Sequence, residues 1–127
     1  MKIAIFENEF SSVEGAFKAA NWFEFNNQLE MKVFVSSQEA NFQEMRNYDV
    51  IFVDMDLSAK SQLDGYAVIQ RINELDNTLA NRIVILTGNS KIEETLSERG
   101  IDRNGIQIII KPANDNDISN AIKIAVK

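Results

Sequence analysis

Short apolar runs of strand length alternate with segments of helical periodicity, and this alternation most constrains what the chain can fold into. Unbroken runs rich in β-branched residues are typical of strands buried on both faces of a sheet. Strands are predicted near Lys2–Phe6, Met31–Val35, Val50–Val53, Arg82–Leu86 and Ile106–Ile110. Helices are predicted near Ser12–Asn26, Gln38–Arg46, Gly65–Leu75, Lys91–Arg99 and Asp115–Val126. The pattern predicts an α/β fold, a three-layer αβα sandwich around a five-stranded parallel sheet.

Polar side chains stand at the ends of three of these runs. Asp54 ends the third run, Thr87 the fourth and Lys111 the fifth. Equivalent ends of parallel strands lie on one edge of the sheet, and open α/β sheets bind ligands there, so we expect these side chains to converge at a site. Singly, each also has a structural interpretation: Asp54 as a helix cap, Thr87 as a turn residue and Lys111 as a solvated charge.

The composition limits the chemistry of such a site. The 127 residues fit one domain, residues 1–127, and contain neither Cys nor His, which excludes thiolate nucleophiles, histidine catalysis and ordinary zinc sites. The net charge of −6 disfavours nucleic acid as a partner. Since no apolar stretch is long enough to span a membrane and no secretion signal opens the chain, we expect a cytoplasmic protein without a membrane partner.

Acidic residues near the same edge point to a divalent metal ion. Glu7, Asn8 and Glu9 follow the first run, and Asp54 and Asp56 follow the third. Carboxylates crowded around one point repel each other, which raises their pKa values unless a cation is present. Mg²⁺ typically takes one or two carboxylates, several waters and phosphate oxygens. An aspartate at such a place can attack phosphorus and form an aspartyl phosphate, which a hydroxyl and an ammonium group can stabilise.

At these positions the chain resembles the receiver domain of bacterial two-component response regulators, including the single-domain chemotaxis type. The resemblance covers essentially the whole chain and rests on the acids after the first strand, Asp54, Asp64-Gly65, Thr87-Gly88 and Lys111-Pro112. It implies the flavodoxin-like receiver fold with strand order 2-1-3-4-5. It also implies a cis peptide bond at Lys111-Pro112, and a signalling domain rather than an enzyme, with at most self-phosphorylation and self-dephosphorylation.

The resemblance further implies a role for each site residue. The phosphoacceptor would be Asp54, the switch hydroxyl Thr87 and the phosphate-pairing cation Lys111. The Mg²⁺ ligands would be Glu7, Asp54 and the backbone carbonyl of Asp56, with Asn8 or Glu9 as further candidates. We interpret Glu9 as a solvated loop acid, with replacement of Asn8 at the metal as the less favoured alternative.

The chain departs from the family pattern in three places. Asn8 stands where the family usually has a second acid that contacts the metal, so we expect weak Mg²⁺ binding. The loop Met55–Asp64 is longer than usual and has Ser58 where the family often has proline, so we expect a reshaped loop. Ile108 replaces the usual aromatic switch residue, which excludes signalling by a rotating Tyr or Phe in that form.

Aromatic residues are dense in the first predicted helix. Helical spacing assigns Phe17 and Phe23 to the core. Trp22 or Phe25 is a candidate for an exposed residue that docks a partner, with packing at the helix end as the alternative.

The leading hypothesis is a stand-alone receiver with no output domain after residue 127. It would accept a phosphoryl group on Asp54 from a sensor histidine kinase or a histidine phosphotransfer protein, and signal to an unknown downstream protein by contact. The change would run through Thr87 and the loop and helix that follow it. A second hypothesis, motivated by Asn8 and the long loop, is a receiver-like adaptor that works without phosphorylation.

A third hypothesis is a haloacid-dehalogenase-like phosphatase, because Asp54-Met55-Asp56 matches the nucleophile pattern of that family. We favour it least, because the aspartate pair of that family ends the first strand, whereas two predicted strands precede Asp54 here.

Overall fold

The computed structural model describes residues 1–57, 59–103 and 105–127, and within them five strands form one parallel sheet. The strand order is β2-β1-β3-β4-β5, as predicted. The strands are β1 (Lys2–Phe6), β2 (Glu30–Phe34), β3 (Val50–Asp54), β4 (Ile83–Thr87) and β5 (Gln107–Ile110). Each strand end lies within one residue of its predicted position, because the apolar runs that define the strands are unambiguous.

Four of the predicted helices are present in the described residues: α1 (Glu14–Glu24), α2 (Gly65–Leu75), α3 (Ile92–Glu98) and α4 (Asp115–Ala125). Helix α2 begins where predicted because the Asp64 side chain accepts a hydrogen bond from the Ala67 N–H at 2.8 Å. At the start of α4, Asn114 and Asp117 each accept a hydrogen bond from the other's backbone N–H. Polar side chains therefore set the first turns of both helices.

The predicted helix Gln38–Arg46 is wrong. This stretch forms two short 3-10 segments, Ser37–Glu39 and Phe42–Asn47, separated by extended backbone at Ala40 and Asn41. The Asn41 side chain accepts a hydrogen bond from the Gln43 N–H, two residues on. Such a local bond offers the backbone an alternative to the helix, and it starts a new turn in the middle of the predicted element.

The core divides into two apolar layers on opposite faces of the sheet, which confirms the three-layer sandwich. On one face, Ile3, Ile5 and Phe52 pack with residues of α1 and α4. On the other face, Phe6, Ile51 and Val53 pack with residues of α2, α3 and the Phe42–Asn47 segment. All five residues of β3 and of β4 are buried, as expected for central strands covered on both sides.

The aromatic residues of α1 divide between core and surface. Phe17 is fully buried, as predicted, and Phe25 is partly buried against the same layer. The assignment of Phe23 to the core is wrong, because its side chain is 69% exposed, and Trp22 is 65% exposed. The buried stripe of the helix runs through Phe17, Ala20 and Asn21, which leaves residues 22 and 23 on the outer side.

Candidate functional site

Side chains from three strand ends meet at the carboxyl edge of the sheet. Glu7 directly follows β1, Asp54 ends β3 and Lys111 directly follows β5. The Lys111 ammonium donates a hydrogen bond to Glu7 Oε2 at 3.0 Å and lies 3.3 Å from Asp54 Oδ1. Glu7 and Asp54 are nearly inaccessible to solvent, at 1% and 2%, so this is a buried ion-paired cluster.

Backbone hydrogen bonds hold the strand ends in place around this cluster. The Lys111 N–H donates to the Thr87 carbonyl at 2.7 Å, and the Glu7 N–H donates to the Phe34 carbonyl at 3.1 Å. The Met55 N–H donates to the Leu86 carbonyl at 3.1 Å, which fixes the residue after Asp54. The peptide bond between Lys111 and Pro112 is cis, as the resemblance implied.

The cluster carries more negative than positive charge. Burial raises the pKa of Glu7, and the neighbouring Asp54 carboxylate raises it further, while Lys111 opposes the shift. Burial lowers the pKa of Lys111, but hydrogen bonds and charge from Glu7 and Asp54 outweigh it, so the net shift is upward. Two buried carboxylates share one ammonium group, and the cluster therefore favours an additional cation or proton.

Thr87 ends β4, the strand next to β3, at the same edge of the sheet. Its side chain is buried, and its hydroxyl oxygen accepts a hydrogen bond from the Asn89 N–H at 3.1 Å. The Asn89 side chain in turn accepts from the Lys91 N–H at 2.9 Å and donates to Thr95 Oγ1 at 3.3 Å. Thr87 is thereby linked through the loop that follows it to the first turns of α3.

The remaining candidates lie around the acidic pair. The Asp56 N–H donates to Asp54 Oδ1 at 3.0 Å, which turns the backbone after β3 toward the carboxylate. The Glu9 N–H donates to Glu7 Oε1 at 3.2 Å, while the Glu9 residue itself is exposed. Asn8 is partly buried. Glu9 therefore contacts the cluster through its backbone, consistent with a solvated loop acid.

Gly65 is required by a close approach beside the phosphoacceptor candidate. A Cβ atom at this position would lie 2.5 Å from the Asp54 carbonyl oxygen and 2.6 Å from the Met55 Cα. Both contacts are with backbone that has little freedom to move. The motif Asp64-Gly65 thus caps α2 and lets its first turn pack directly on the end of β3.

The long loop after β3 is tied to the segment after β2, a connection that the sequence reasoning missed. The Ser37 N–H donates to Ser61 Oγ at 2.8 Å, and the Leu63 N–H donates to Ser37 Oγ at 2.9 Å. Gln38 adds two bonds, to the Lys60 carbonyl at 2.7 Å and from the Gln62 N–H at 2.9 Å. No local sequence signal pairs serines that lie 24 residues apart. The predicted effect of Ser58 falls outside the described residues.

Arg99, at the end of α3, contacts the start of α2. Its guanidinium lies 3.0 Å from Asp64 Oδ2 and stacks over the Tyr66 ring, 4.6 Å from the ring centroid. Ile108, where the family has an aromatic residue, is partly buried against the same core layer as α3. The contacts of Arg99, rather than those of an aromatic switch residue, therefore connect α3 to the start of α2 beside the site.

Comparison with known proteins identifies the family. A sequence profile described as the response regulator receiver domain matches residues 14–123. The chain belongs to the response regulator receiver family. Receiver domains act in signal transduction by two-component systems, and they generally interact with histidine kinases or phosphotransfer proteins. The phosphatase hypothesis lacks support, since Asp54 ends the third strand of this receiver fold.

Solved receiver domains share the fold. A response regulator receiver domain protein from Clostridium thermocellum is 22% identical with a TM-score of 0.70, covering 98% of this chain and 93% of that chain. A putative response regulator from Chloroflexus aurantiacus is 20% identical with a TM-score of 0.72, covering 98% and 96%. The receiver domain of NtrX from Brucella abortus is 20% identical with a TM-score of 0.69, covering 98% and 97%.

A search of curated proteins finds no match. Within residues 1–57, 59–103 and 105–127, no helix has both the length and the apolar character needed to cross a bilayer.

The donor set of the cluster fits a small divalent cation held by few protein ligands. Receiver domains generally bind Mg²⁺ for phosphorylation. Glu7 and Asp54 offer hard carboxylate oxygens, and burial, followed by the neighbouring Asp54 carboxylate, raises the pKa of Glu7. In the described part of the chain, no group of three or more acidic side chains is arranged to hold a metal ion. Two carboxylates suit Mg²⁺ that keeps several waters and takes phosphate oxygens, and weak binding because of Asn8 stays a prediction.

Proposed function

We propose that this receiver accepts a phosphoryl group on Asp54 from a phosphohistidine of a sensor kinase or a phosphotransfer protein. The observation that carries the proposal is the ion pairing of the buried Asp54 carboxylate with Lys111 beside Glu7. A carboxylate oxygen of Asp54 would attack phosphorus as the phosphorus–nitrogen bond to the donor imidazole breaks, and the bonding electron pair would leave with the imidazole.

Each residue of the cluster has a defined task in this reaction. Lys111, already within ion-pair distance of Asp54, would pair with the phosphoryl oxygens as negative charge accumulates. The Asp56 N–H, bonded to Asp54 Oδ1, would hold the carboxylate in one orientation. Mg²⁺, when bound, would neutralise phosphoryl charge, with Glu7, Asp54 and the backbone carbonyl of Asp56 as its protein ligands.

We further propose that the signal runs through Thr87 and the loop after it to α3. The oxygens of a phosphoryl group on Asp54 are acceptors that would compete with Thr87 Oγ1 for the Asn89 N–H, and they would also accept from the Thr87 hydroxyl. Turning the Thr87 hydroxyl toward the phosphoryl group would alter that loop, and the Asn89 contact with Thr95 would transmit the change to α3. The output would be an altered surface around α3, presented to a downstream protein.

Incubation with acetyl phosphate and millimolar Mg²⁺, followed by intact-mass measurement, tests the acceptor. We expect wild type to gain one phosphoryl group and Asp54→Asn to gain none. The matched control is Asp56→Asn, which removes an exposed carboxylate two residues away and should still be labelled, because only the backbone of this residue has a proposed role. Equal labelling of Asp54→Asn and wild type would place the acceptor elsewhere.

The same experiment distinguishes the adaptor that works without phosphorylation, which Asn8 favours. For this alternative, folded wild type takes no adduct at any Mg²⁺ concentration tested. Asn8→Asp restores the second acid of the family pattern, and we expect it to lower the Mg²⁺ concentration needed for half-maximal labelling. Labelling of Asn8→Asp but not of wild type would support the adaptor hypothesis and attribute the loss of phosphorylation to Asn8.

A further inference from the structure

An unpaired strand edge lies beside two exposed aromatic rings. In the part of the chain that the structure describes, strand β2 stands at one end of the strand order and has a neighbour, β1, on one side only. Trp22 and Phe23, at the end of α1, are 65% and 69% exposed. Both line a shallow apolar groove with Met31 of β2. Edge and rings together form one surface, which we call the β2 edge patch.

The backbone of β2 is oriented to accept another strand. The Glu30 N–H donates to the Met1 carbonyl at 2.8 Å, so Glu30 directs its backbone groups toward β1. Alternate residues of a strand direct these groups to opposite sides, and those of Met31 and Val33 therefore face away from β1. A row of outward N–H and C=O groups is a ready template for pairing with a strand of another chain.

Trp22 and Phe23 lie in the last turn of α1, and the chain that follows this helix is ordered. After α1, Asn26 and Asn27 adopt left-handed conformations with φ of 52° and 58°. The buried Asn21 side chain accepts a hydrogen bond from the Leu29 N–H at 3.0 Å, which locks the path from α1 to β2. Rings presented by an ordered turn lose little freedom when a partner covers them.

Strand β2 carries one negative side chain, Glu30, and one positive side chain, Lys32, so two copies of the strand can place opposite charges against each other. This property favours a second copy of the chain as the partner. We propose that a second copy of this chain covers the β2 edge patch, with the two β2 strands antiparallel about a two-fold axis at Met31. In this register Glu30 of one copy stands opposite Lys32 of the partner subunit, and the pair occurs twice. A register centred on Lys32 would instead place two ammonium groups opposite each other, which is unfavourable.

The proposed dimer suits the rest of the molecule. The Met31 N–H would donate to the carbonyl of the partner subunit's Met31, and the Met31 carbonyl would accept from the N–H of that residue, which makes a continuous sheet across the axis. Trp22 and Phe23 share the groove with Met31 and so would be covered at the same time. The net charge of −6 on each copy opposes association, and the two Glu30–Lys32 pairs offset this repulsion at the contact.

The phosphoacceptor site remains open in this arrangement. Helix α1 follows β1 and runs antiparallel to the strands, from their carboxyl ends back toward their amino ends. Trp22 and Phe23, in its last turn, therefore lie near the amino ends of the strands, away from Asp54 at the carboxyl end of β3. The dimer is therefore compatible with phosphorylation and does not depend on it.

Sedimentation velocity over a concentration series tests the pairing. We expect wild type to shift from monomer to dimer, and Glu30→Lys and Lys32→Glu each to raise the dissociation constant by about tenfold or more, since each replaces two attractive pairs with two repulsive ones. Glu74→Lys, on the exposed face of α2, changes the net charge as Glu30→Lys does and should leave the dissociation constant unchanged.

Mixing the two charge variants tests the register itself. In a mixed dimer of Glu30→Lys with Lys32→Glu, unlike charges again stand opposite each other at both positions, so the mixture should recover the association that each variant lacks alone. A blue shift of Trp22 emission should accompany dimer formation, since the ring becomes covered. Wild type that stays monomeric at all concentrations, or a mixture that stays monomeric, would overturn the proposal. Far-UV circular dichroism of each variant verifies that it is folded.

Discussion

Among single residues, Glu7 should have the clearest effect on how the free energy of unfolding depends on pH. Burial and the Asp54 carboxylate raise its pKa above the ordinary value of 4.5. Between the pKa of Glu7 in the unfolded chain and its raised pKa in the folded protein, the folded protein binds more protons than the unfolded chain. The stability that protonated Glu7 contributes is therefore fully present below the unfolded pKa, and it is lost as the pH rises through the folded pKa. Gln at this position has no proton to lose.

We therefore expect Glu7→Gln to remove part of the pH dependence of stability. The free energy of unfolding of wild type, measured by urea denaturation, should decline relative to that of Glu7→Gln over a pH window that begins at the ordinary pKa of 4.5 and extends upward from it. Asp49→Asn, which removes an exposed carboxylate outside the cluster, is the control and should retain the wild-type dependence in this window. Parallel curves for wild type and Glu7→Gln would show that the Glu7 carboxyl is not buried as described.

Gly65 gives a second prediction at this scale. An added Cβ would meet the backbone of Asp54 and Met55, so Gly65→Ala should reduce the free energy of unfolding by about 1–3 kcal/mol. Gly15→Ala is the matched control in α1, because a Cβ there meets nothing within 4 Å, and it should be neutral or stabilising by up to about 1 kcal/mol. Equal effects of the two substitutions on chemical denaturation would contradict the close approach at α2.

At the scale of elements, the loop after β3 depends on a distant serine. Ser37 is buried, and its hydroxyl oxygen accepts the Leu63 N–H. Ser37→Ala leaves that N–H without its partner, so we expect a loss of about 1–3 kcal/mol in the free energy of unfolding and faster proteolysis within residues 59–63. Ser36→Ala is the control, since Ser36 makes no side-chain capping bond to this segment. Unchanged proteolysis of Ser37→Ala would show that the loop is held by other contacts.

The elements also show what sequence patterns can and cannot predict. Strand ends were predictable to within one residue because each apolar run is bounded by polar residues, and the start of α2 was predictable from Asp64-Gly65. The segment 37–47 was not, because the hydrogen bond from Gln43 N–H to the Asn41 side chain competes with helix formation, and periodicity does not detect it. Phe23 was misassigned because its spacing fits a helix, but the buried stripe runs through Phe17, Ala20 and Asn21.

The candidate site was more predictable than its surroundings. Glu7, Asp54 and Lys111 come together because parallel strands place equivalent ends on one edge, a rule that needs only strand assignment and direction. The bonds between Ser37, Ser61 and Leu63 depend on how two irregular segments pack, which no periodicity encodes. The roles of Asp54, Thr87 and Lys111 in phosphorylation stay predictions that the labelling experiment tests.

At the scale of the whole molecule, the two apolar layers share one sheet and should unfold together. Adjacent residues of β1 alternate between the layers, with Ile3 and Ile5 in one and Ala4 and Phe6 in the other. Neither layer can lose its packing without exposing the strands that support the other. We therefore expect residues 1–127 to behave as one cooperative unit, as predicted for a single domain.

Differential scanning calorimetry of the monomer checks this expectation. The calorimetric and van't Hoff enthalpies should agree, with a ratio of about 1. The enthalpy should be about 90 kcal/mol near 60 °C, as usual for a domain of this length. Two resolved transitions would mean that the layers are independent.

The ion pair between Lys111 and Glu7 joins positions 104 residues apart in sequence, so it closes almost the entire chain into a loop. The parallel strands already hold these two positions together in the fold, so the pair acts as a contact of the native state and does not restrict the unfolded chain. A phosphoryl group that draws the Lys111 ammonium away from Glu7 would leave a buried carboxylate without its ion-pair partner, which destabilises the fold. Occupancy of one aspartate should thus be readable in the melting temperature of the entire protein.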